Sequence, residues 1–253
     1  FGLYEFYVNG QSIGDREVLR PVPSDYRRTV YYNTYDITEE LQSGSKNALA
    51  IVLEAGRAFP PRQEKPYKTP YFGLPKCRIN VIVEYANGKR ETWATDEKWK
   101  ISTDGPVLSA NEYDGEVYDS RLEHAGWNDV GFDDSGWCQA QRAAIPEGTL
   151  RAQMTPNMVV GYGPMDKRSI KKWGHGVIVD FGQNMAGWVL TSVRGNAGDT
   201  IRIKYAEKLD SAGGLYTANL RNAKAEDVYI CNGKSREWFP SFVYHGFRYV
   251  YVT

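Results

Sequence analysis

Residues 180–188 read DFGQNMAGW and are the most informative segment of the chain. It follows a run of side chains, including Val177 and Phe181, that favour the pleated and half-buried positions of a strand. Gly182 and Gly187 interrupt this run, and glycine permits the bulged or left-handed backbone that other residues avoid. The stretch therefore predicts a kinked strand inside a β-sheet.

Gln183 and Asn184 are the two amides at this kink. An amide beside a bulge most often satisfies backbone groups that the bulge leaves unpaired. The same amides could instead contact a polyhydroxylated ligand. Both residues are therefore candidate substrate-binding residues.

Short alternating runs rich in Val, Ile, Tyr, Phe and Trp cover the rest of the chain, with almost no helical period. We predict strands at residues 3–8, 30–35, 48–53, 78–85, 91–94, 177–181, 188–193, 200–205, 227–230 and 247–252. Asn87 and Gly88 lie between two of these runs and predict a hairpin with a type I′ turn. The pattern predicts an all-β fold of two tandem antiparallel β-sandwich domains, jelly-roll-like, with few short helices.

A chain of 253 residues exceeds the usual domain of about 100 to 150 residues, which favours two domains. Turn residues at 146–148 break the strand pattern, so we place the boundary near Pro146. The predicted domains are residues 1–145, expected to be truncated at the N-terminus, and residues 146–253, with 150–160 as an extended crossing strand. Because the chain opens and stops inside strand patterns, we expect it to be a piece of a longer protein.

The charge balance argues against two classes of partner. Lys and Arg number 31, as do Asp and Glu, and the formal net charge is zero. This balance lacks the excess of positive charge that is typical of proteins that bind nucleic acid or an anionic membrane surface. No apolar run approaches the roughly 20 residues that span a bilayer. We therefore expect neither nucleic acid nor membrane as a partner.

The three cysteines, Cys77, Cys138 and Cys231, are far apart and lack the paired spacing of zinc ligands. Free or buried thiols are therefore favoured over metal ligands, although two of them could form one disulfide. The cysteines leave the redox compartment undetermined, and a secreted or periplasmic location is favoured over a cytoplasmic one. A separate feature, the proline-dense stretch at residues 59–75, predicts a surface insertion that could rest against a further domain.

Several segments together resemble the β-sandwich region that precedes the catalytic barrel in bacterial α-L-rhamnosidases, a family of glycoside hydrolases. The resemblance rests on DFGQNMAGW, on FPSFVYHGFRYVYVT at the end of the chain, and on IRIKYAEKLDSAGGLYTANLRNAKAEDVYIC between them. Upstream, the segments LYEFYVNGQSIGD, VYYNTYDITEELQSGSKNALAIVLEAG and EYDGEVYDSRLEHAGWNDVGFDDSGW look like the N-terminal sandwich of that family. The resemblance thus covers nearly the whole chain.

The resemblance implies that the general acid and base lie in a helical α/α barrel that follows the sandwiches. No such barrel is encoded in these 253 residues, so we expect no catalytic residue here and no hydrolysis by this chain alone. The longer protein would hydrolyse terminal α-L-rhamnosides with inversion. The expected partners are the α/α barrel of the same longer chain and a rhamnose-containing glycan.

The densest group of carboxylates lies in EYDGEVYDSR, residues 112–121. A glycosidase needs two carboxyl groups about 5 to 5.5 Å or about 6.5 to 9.5 Å apart across the scissile bond. Asp114 and Glu116 are two residues apart and would share one face of a strand. Two carboxylates placed that closely repel each other unless an arginine, a backbone amide or a cation compensates them. A network that holds loops in place is the favoured interpretation, and a sugar or calcium contact is the alternative. The candidate substrate-binding residues in this segment are Asp114, Glu116, Tyr118, Asp119 and Arg121.

Other catalytic classes find no support in the sequence. It contains no phosphate-binding loop and no dinucleotide fingerprint. His245 lies in a strand pattern and is expected to be a packed residue. No nucleotide cofactor and no metal ligand are assigned, and calcium is the one cofactor left open.

Carbohydrate binding without catalysis is the alternative function. Seven Trp and eighteen Tyr could supply platforms for pyranose rings, although most should lie in the sandwich cores. The resemblance also includes relatives whose N-terminal sandwich binds rhamnose with the help of calcium. Here Arg57 follows Leu-Glu-Ala-Gly where many of those relatives carry Trp, which weakens the case for an aromatic platform. A protein-interaction or adhesion sandwich is a further alternative.

Overall fold

The structure is a computed structural model and describes residues 1–14, 16–58, 73–161 and 169–253. Its first strands are β1 (Leu3–Val8), β2 (Gln11–Ser12), β3 (Glu17–Val18), β4 (Thr29–Tyr32), β5 (Leu49–Glu54), β6 (Asn80–Glu84), β7 (Arg90–Ala94), β8 (Lys100–Ile101), β9 (Val107–Asn111), β10 (Gly115–Asp119) and β11 (Cys138–Gln139). The later strands are β12 (Thr149–Ala152), β13 (Met158–Val159), β14 (Ser169–Trp173), β15 (Gly176–Gly187), β16 (Thr191–Val193), β17 (Thr200–Ala206), β18 (Lys208–Leu209), β19 (Leu215–Tyr216), β20 (Glu226–Ile230), β21 (Arg236–Trp238) and β22 (His245–Val252).

The prediction of an all-β fold built from β-sandwich domains is confirmed. In the described ranges the helical elements are two single-turn 3₁₀ helices, Ser120–Leu122 and Ala218–Leu220. Strand pairing there is antiparallel except in two pairs, β12 with β4 and β10 with β20. None of the helices in the described part is long and apolar enough to cross a membrane.

The N-terminal half is organised around β1, which lies between β2 and β5 in a three-stranded sheet. Phe6, Val8 and Ile13 form its buried core. The turn from β1 to β2 contains Asn9 and Gly10, and both have positive φ, at 49° and 82°. This is the type I′ geometry that follows the twist of two-residue hairpins.

The hairpin of β6 and β7 is present as predicted, but its predicted turn type is wrong. Gly88 has a φ of 80°, whereas Asn87 is not among the residues with positive φ. The amide of Gly88 donates to the carbonyl of Tyr85, and the amide of Tyr85 donates to the carbonyl of Lys89. A three-residue loop that ends in a left-handed glycine replaces the two-residue turn, because one extra residue enters the connection.

The C-terminal half is organised around a seven-stranded sheet with the order β14-β15-β22-β17-β20-β10-β9. Its core is formed mainly by aromatic and β-branched side chains: Val193, Ile203, Tyr205, Tyr229, Cys231, Trp238, Phe247 and Val250. Strands β9 and β10 come from the N-terminal half of the sequence. The largest sheet is therefore completed by residues on both sides of Pro146, and the predicted boundary there stays a prediction.

The kink predicted at DFGQNMAGW is confirmed. Strand β15 pairs with β22 at Asp180 opposite Tyr249, and then again at Met185 opposite Phe247. Residues 181–184 of β15 thus lie opposite Arg248 alone, and Gly182 adopts a φ of 77°. The bulge lifts the two amides, Gln183 and Asn184, out of the ladder at the surface of the sheet.

The segment predicted as one crossing strand, residues 150–160, contains two short strands instead. Strand β12 pairs in parallel with β4, and β13 pairs antiparallel with β3. Both partners belong to the N-terminal half, so this segment lies against that half. Most of the predicted proline-dense insertion, at residues 59–72, lies outside the described residues.

Gly115 tests how tightly β10 fits against β20. A Cβ at Gly115 would clash with the backbone carbonyl of Glu226, and its φ is 98°. Gly131 has a similar φ of 89° but no atom within 4 Å of a Cβ. We expect Gly131→Ala to cost about 1 to 2 kcal/mol of the free energy of unfolding from backbone strain alone. Gly115→Ala should cost roughly 1 to 3 kcal/mol more, because the neighbouring strand must move.

Urea unfolding of both variants measures this difference directly. Equal losses for Gly115→Ala and Gly131→Ala would show that the parallel pair tolerates a wider separation than its backbone contacts indicate.

Candidate functional site

The structure separates the predicted site residues into two groups. Asp114, Glu116, Tyr118, Asp119 and Arg121 lie at or beside β10, where that strand joins the seven-stranded sheet. Gln183 and Asn184 lie at the bulge of β15 and are exposed. The first group is largely built into the fold, and the second borders an open depression.

Glu116 is completely buried and is held by backbone amides. Its Oε2 accepts hydrogen bonds of 3.0 Å from the amides of Ser241 and of Phe242. Its Oε1 is buried with no hydrogen-bond partner. Phe242 and Val243 pack with Ala110 of β9 and with Leu3 of β1, so Glu116 fixes the loop at which both halves of the fold meet.

Asp227 lies beside Glu116, is also completely buried, and accepts several hydrogen bonds. Its Oδ1 accepts hydrogen bonds from the Glu116 amide at 2.9 Å and from His245 Nε2 at 3.0 Å. Its Oδ2 accepts a hydrogen bond of 2.7 Å from the Tyr205 hydroxyl. The Tyr205 ring stacks on the His245 ring with centroids 4.0 Å apart. His245 is thus packed, as expected from its strand pattern.

Burial raises the pKa of Glu116 to about 8, and the nearby Asp227 carboxylate raises it further against the lowering effect of the two backbone amides. Burial and the Asp227 carboxylate also raise the pKa of Tyr205 above its ordinary value. Glu116 is therefore largely protonated at neutral pH. This proton is enclosed in the core and cannot reach a substrate from there.

The other predicted residues near β10 also hold local structure. Arg121 donates to Asp119 from Nε at 2.9 Å and from Nη2 at 2.7 Å, and this pair keeps the Asp119 pKa below its ordinary value. Tyr118 stacks on Tyr229 and donates its hydroxyl to Glu123. These contacts agree with a network that holds loops in place.

Asp114 lies in the turn between β9 and β10, where its amide donates to the Asn111 side chain at 2.9 Å. Its carboxylate is directed to Asn111 and to the amide of Lys224, away from the environment of Glu116. The two carboxylates predicted to share one strand face are therefore engaged by different partners. A sugar or calcium contact for this group stays a prediction.

The second group borders a surface depression of about 590 Å³ that is open to solvent. Its lining residues come from β15, from β18 with the residue before it, and from β22: Asn184, Glu207, Lys208, Leu209, Arg248 and Tyr249. Asn184 Nδ2 donates to Glu207 Oε1 at 2.9 Å. Gln183 is exposed beside Asn184 at the bulge.

An ion pair supports the floor of this depression. Arg248 donates to Asp180 from Nε at 2.8 Å and from Nη2 at 3.0 Å. The Arg248 guanidinium lies 5.0 Å from the centroid of the Tyr249 ring. The Arg248 hydrogen bonds lower the Asp180 pKa, so Asp180 stays ionised and cannot act as a general acid at neutral pH.

The depression combines a carboxylate, an amide, a guanidinium and an aromatic ring. Such a mixture can hydrogen-bond to hydroxyl groups and contact the apolar face of a ring. Sequence reasoning found Asn184 but missed Glu207, Arg248 and Tyr249 as partners. The sequence signal was limited to the bulge, because the partners of Asn184 come from β22 and from residues at β18, which are distant in sequence.

Two further features bear on the alternatives. Among the described residues, no three His, Cys, Asp or Glu side chains cluster as a metal site. Arg57 donates to Glu112 from Nε at 3.1 Å and from Nη2 at 3.0 Å. Arg57, which weakened the case for an aromatic platform at this loop, is thus held in an ion pair.

Two family models together match nearly the whole chain. Residues 1–161 match the α-L-rhamnosidase N-terminal domain, and residues 171–253 match the bacterial α-L-rhamnosidase concanavalin-like domain. An α-L-rhamnosidase of Streptomyces avermitilis is 40% identical over 100% of this chain and 24% of its own length.

Solved structures agree with this match. The α-L-rhamnosidase of Dictyoglumus thermophilum superposes with a TM-score of 0.87 at 40% identity, over 100% of this chain and 28% of that one. The Streptomyces avermitilis enzyme complexed with L-rhamnose gives a TM-score of 0.89 at 37% identity, over 100% and 24%. The chain therefore spans about a quarter of the length of these relatives.

The buried proton of Glu116 predicts an unusual pH dependence. The pKa is about 8 in the folded chain and 4.5 for an ordinary glutamate, so the unfolded chain loses this proton first as the pH rises. The stability contributed by neutral Glu116 is complete below about pH 4.5 and is lost as the pH rises to about 8. Glu116→Gln cannot ionise, so its melting temperature relative to the unchanged chain should increase across this interval.

Asp119→Asn is the matched control, because the pKa of Asp119 is lowered by Arg121. It should be less stable than the unchanged chain near pH 7, with the difference shrinking toward low pH. Thermal melts from about pH 4 to about pH 9 measure both trends. Parallel pH curves for Glu116→Gln and the unchanged chain would contradict a buried protonated Glu116.

Proposed function

Because this chain belongs to the α-L-rhamnosidase family, we propose that it is the non-catalytic β-sandwich portion of a longer α-L-rhamnosidase. The longer protein would hydrolyse terminal α-L-rhamnosides with inversion at the anomeric carbon. The general acid and base would come from an α/α barrel elsewhere in the same polypeptide. The present chain would support that barrel and shape the approach to it.

The observation that carries the non-catalytic role is the position of Glu116. A glycosidase needs a carboxylic acid with a raised pKa that faces the scissile bond, opposite a second carboxylate. Glu116 has the raised pKa, but it and the adjacent Asp227 are both closed off from solvent. Asp119 and Asp180 have lowered pKa values because each is held by an arginine.

The depression at the bulge favours a second role, in carbohydrate recognition. Asn184, Glu207 and Arg248 direct amide, carboxylate and guanidinium groups into one open surface, beside the ring of Tyr249. We propose that Gln183 and Asn184 contribute to this surface as a rim for a rhamnose-containing glycan. The alternative role is then that of a carbohydrate-binding module, with binding measurable on this chain alone.

We expect the purified 253-residue chain to show no turnover of an aryl α-L-rhamnoside, because the carboxyl of Glu116, whose pKa is raised to about 8, is enclosed in the core. The longer polypeptide, assayed at the same molar concentration, is the positive control and should release the aryl group. Turnover by the 253-residue chain that persists after further purification would overturn the non-catalytic assignment.

Isothermal titration of the 253-residue chain with L-rhamnose, with and without calcium, tests the second role. Binding at the depression should be lost in Asn184→Ala, which removes an amide, and in Glu207→Gln, which replaces an accepting carboxylate oxygen with a donating amide nitrogen. Ser45→Ala, at an exposed site on the N-terminal half, should leave the titration unchanged. Binding that needs calcium and is insensitive to Asn184→Ala would assign the sugar site elsewhere.

A further inference from the structure

An apolar strip lies on the surface between residues 145 and 160. Within it, Ile145 is 92% exposed, Leu150 57%, Met154 95%, Met158 45% and Val159 63%. Single exposed apolar residues are ordinary on a protein surface, but five within so short a segment form a concentration that calls for a partner.

The backbone of this segment is held firmly although its side chains are exposed. Strand β12 pairs with β4 over four residues, and β13 pairs with β3 over two. The Gln153 side chain accepts from the Val22 amide at 2.9 Å and donates to Asn157 Oδ1 at 2.7 Å. Asn157 in turn donates to Glu17 at 2.9 Å. Polar contacts therefore fix the segment against the N-terminal half.

The exposed apolar side chains and the polar anchors occupy different positions of the segment. Leu150, Ala152 and Met154 are exposed, whereas Gln153 is half-buried and hydrogen-bonded. Arg151 is exposed as well, so the segment presents apolar side chains outward beside a charged one.

Relatives of this chain are about four times as long, since the chain covers 24% to 27% of their length. The rest of a longer polypeptide is therefore large enough to cover the apolar strip.

We propose that the strip formed by Leu150, Met154, Met158 and Val159 is the docking surface for another domain of the same longer polypeptide. The covering surface is apolar where it meets these four side chains, because they offer no ion pair or strong hydrogen bond. Methionine suits this contact, since its flexible side chain adapts to an irregular partner. The inference rests on the proposed function only in placing this chain inside a longer protein.

A domain of the same polypeptide is favoured over a second copy of the chain. A covalently connected domain reaches the strip at a high effective concentration, so a small apolar contact is sufficient. A second copy must be captured from solution, which generally requires a larger interface of roughly 1,200 Å² or more. The oligomeric state of the 253-residue chain separates these two occupants.

Methionine oxidation tests the strip without any substitution. In the 253-residue chain, dilute hydrogen peroxide should oxidise Met154 quickly, because its side chain is almost fully exposed. In the longer polypeptide, oxidation of Met154 and Met158 should slow by about tenfold or more, as expected for side chains closed off by a cooperative contact. Met185, packed against the core of the seven-stranded sheet, is the internal reference and should react at the same rate in both proteins.

A double substitution gives the second readout. Met154→Glu with Met158→Glu should leave the melting temperature of the 253-residue chain nearly unchanged, because both side chains are exposed there. In the longer polypeptide, the same pair should lower the transition of this portion by about 4 °C or more, as charges enter an apolar contact. The matched control, Ser45→Glu with Gln141→Glu, adds the same charge at exposed polar positions and should shift neither protein.

Equal oxidation rates of Met154 in the two proteins would overturn the proposal. So would dimers of the unchanged 253-residue chain that dissociate in the double methionine variant, because the occupant would then be a second copy. Both readouts measure protection and stability rather than turnover. A longer polypeptide that lacks rhamnosidase activity would therefore contradict the proposed function and leave the docking result intact.

Discussion

The carboxylate of Asp227 is the group on which the seven-stranded sheet depends, because it accepts hydrogen bonds from three elements that are far apart in the chain. The Glu116 amide belongs to β10, the Tyr205 hydroxyl to β17 and the His245 ring to β22. A buried carboxylate is costly unless its lone pairs are satisfied, and here three donors satisfy them. The assembly of the sheet is thus coupled to this side chain, since losing any one element removes a hydrogen-bond partner from a buried oxygen.

This constraint explains how a strand from the N-terminal half can complete a sheet of the C-terminal half. β10 pairs with β20 in parallel, and parallel neighbours need a long crossover, which the intervening residues supply. Glu116 adds a second attachment, because its Oε2 holds the amides of Ser241 and Phe242. The halves are therefore joined through backbone groups that a change of surface residues cannot disturb, and the edges and bulges remain available for recognition.

Local features of this fold could be predicted from the sequence, and long-range ones could not. The strand at Leu3–Val8 and the kink at residues 180–188 follow from alternation and from glycine, which are local signals. Strand β9 was missed, and β10 was anticipated only as a strand face that carries Asp114 and Glu116, because these short segments acquire strand character by pairing, β10 with β20 and β9 with β10. The hydrogen bonds of Asp227 were missed for the same reason. Nothing within Glu226–Ile230 indicates that Asp227 faces inward toward a tyrosine and a histidine.

The candidate site shows why a density of carboxylates is a poor guide to catalysis. Residues 112–121 carry four acidic side chains, yet the fold directs them to backbone amides, to arginine and to a turn. Arg57 pairs with Glu112, and Arg121 lowers the pKa of Asp119, whereas burial raises the pKa of Glu116. These acidic side chains therefore lie in different environments. The groups left open to solvent at the bulge were recognisable only as amides beside glycine, because their carboxylate and guanidinium partners come from strands distant in sequence.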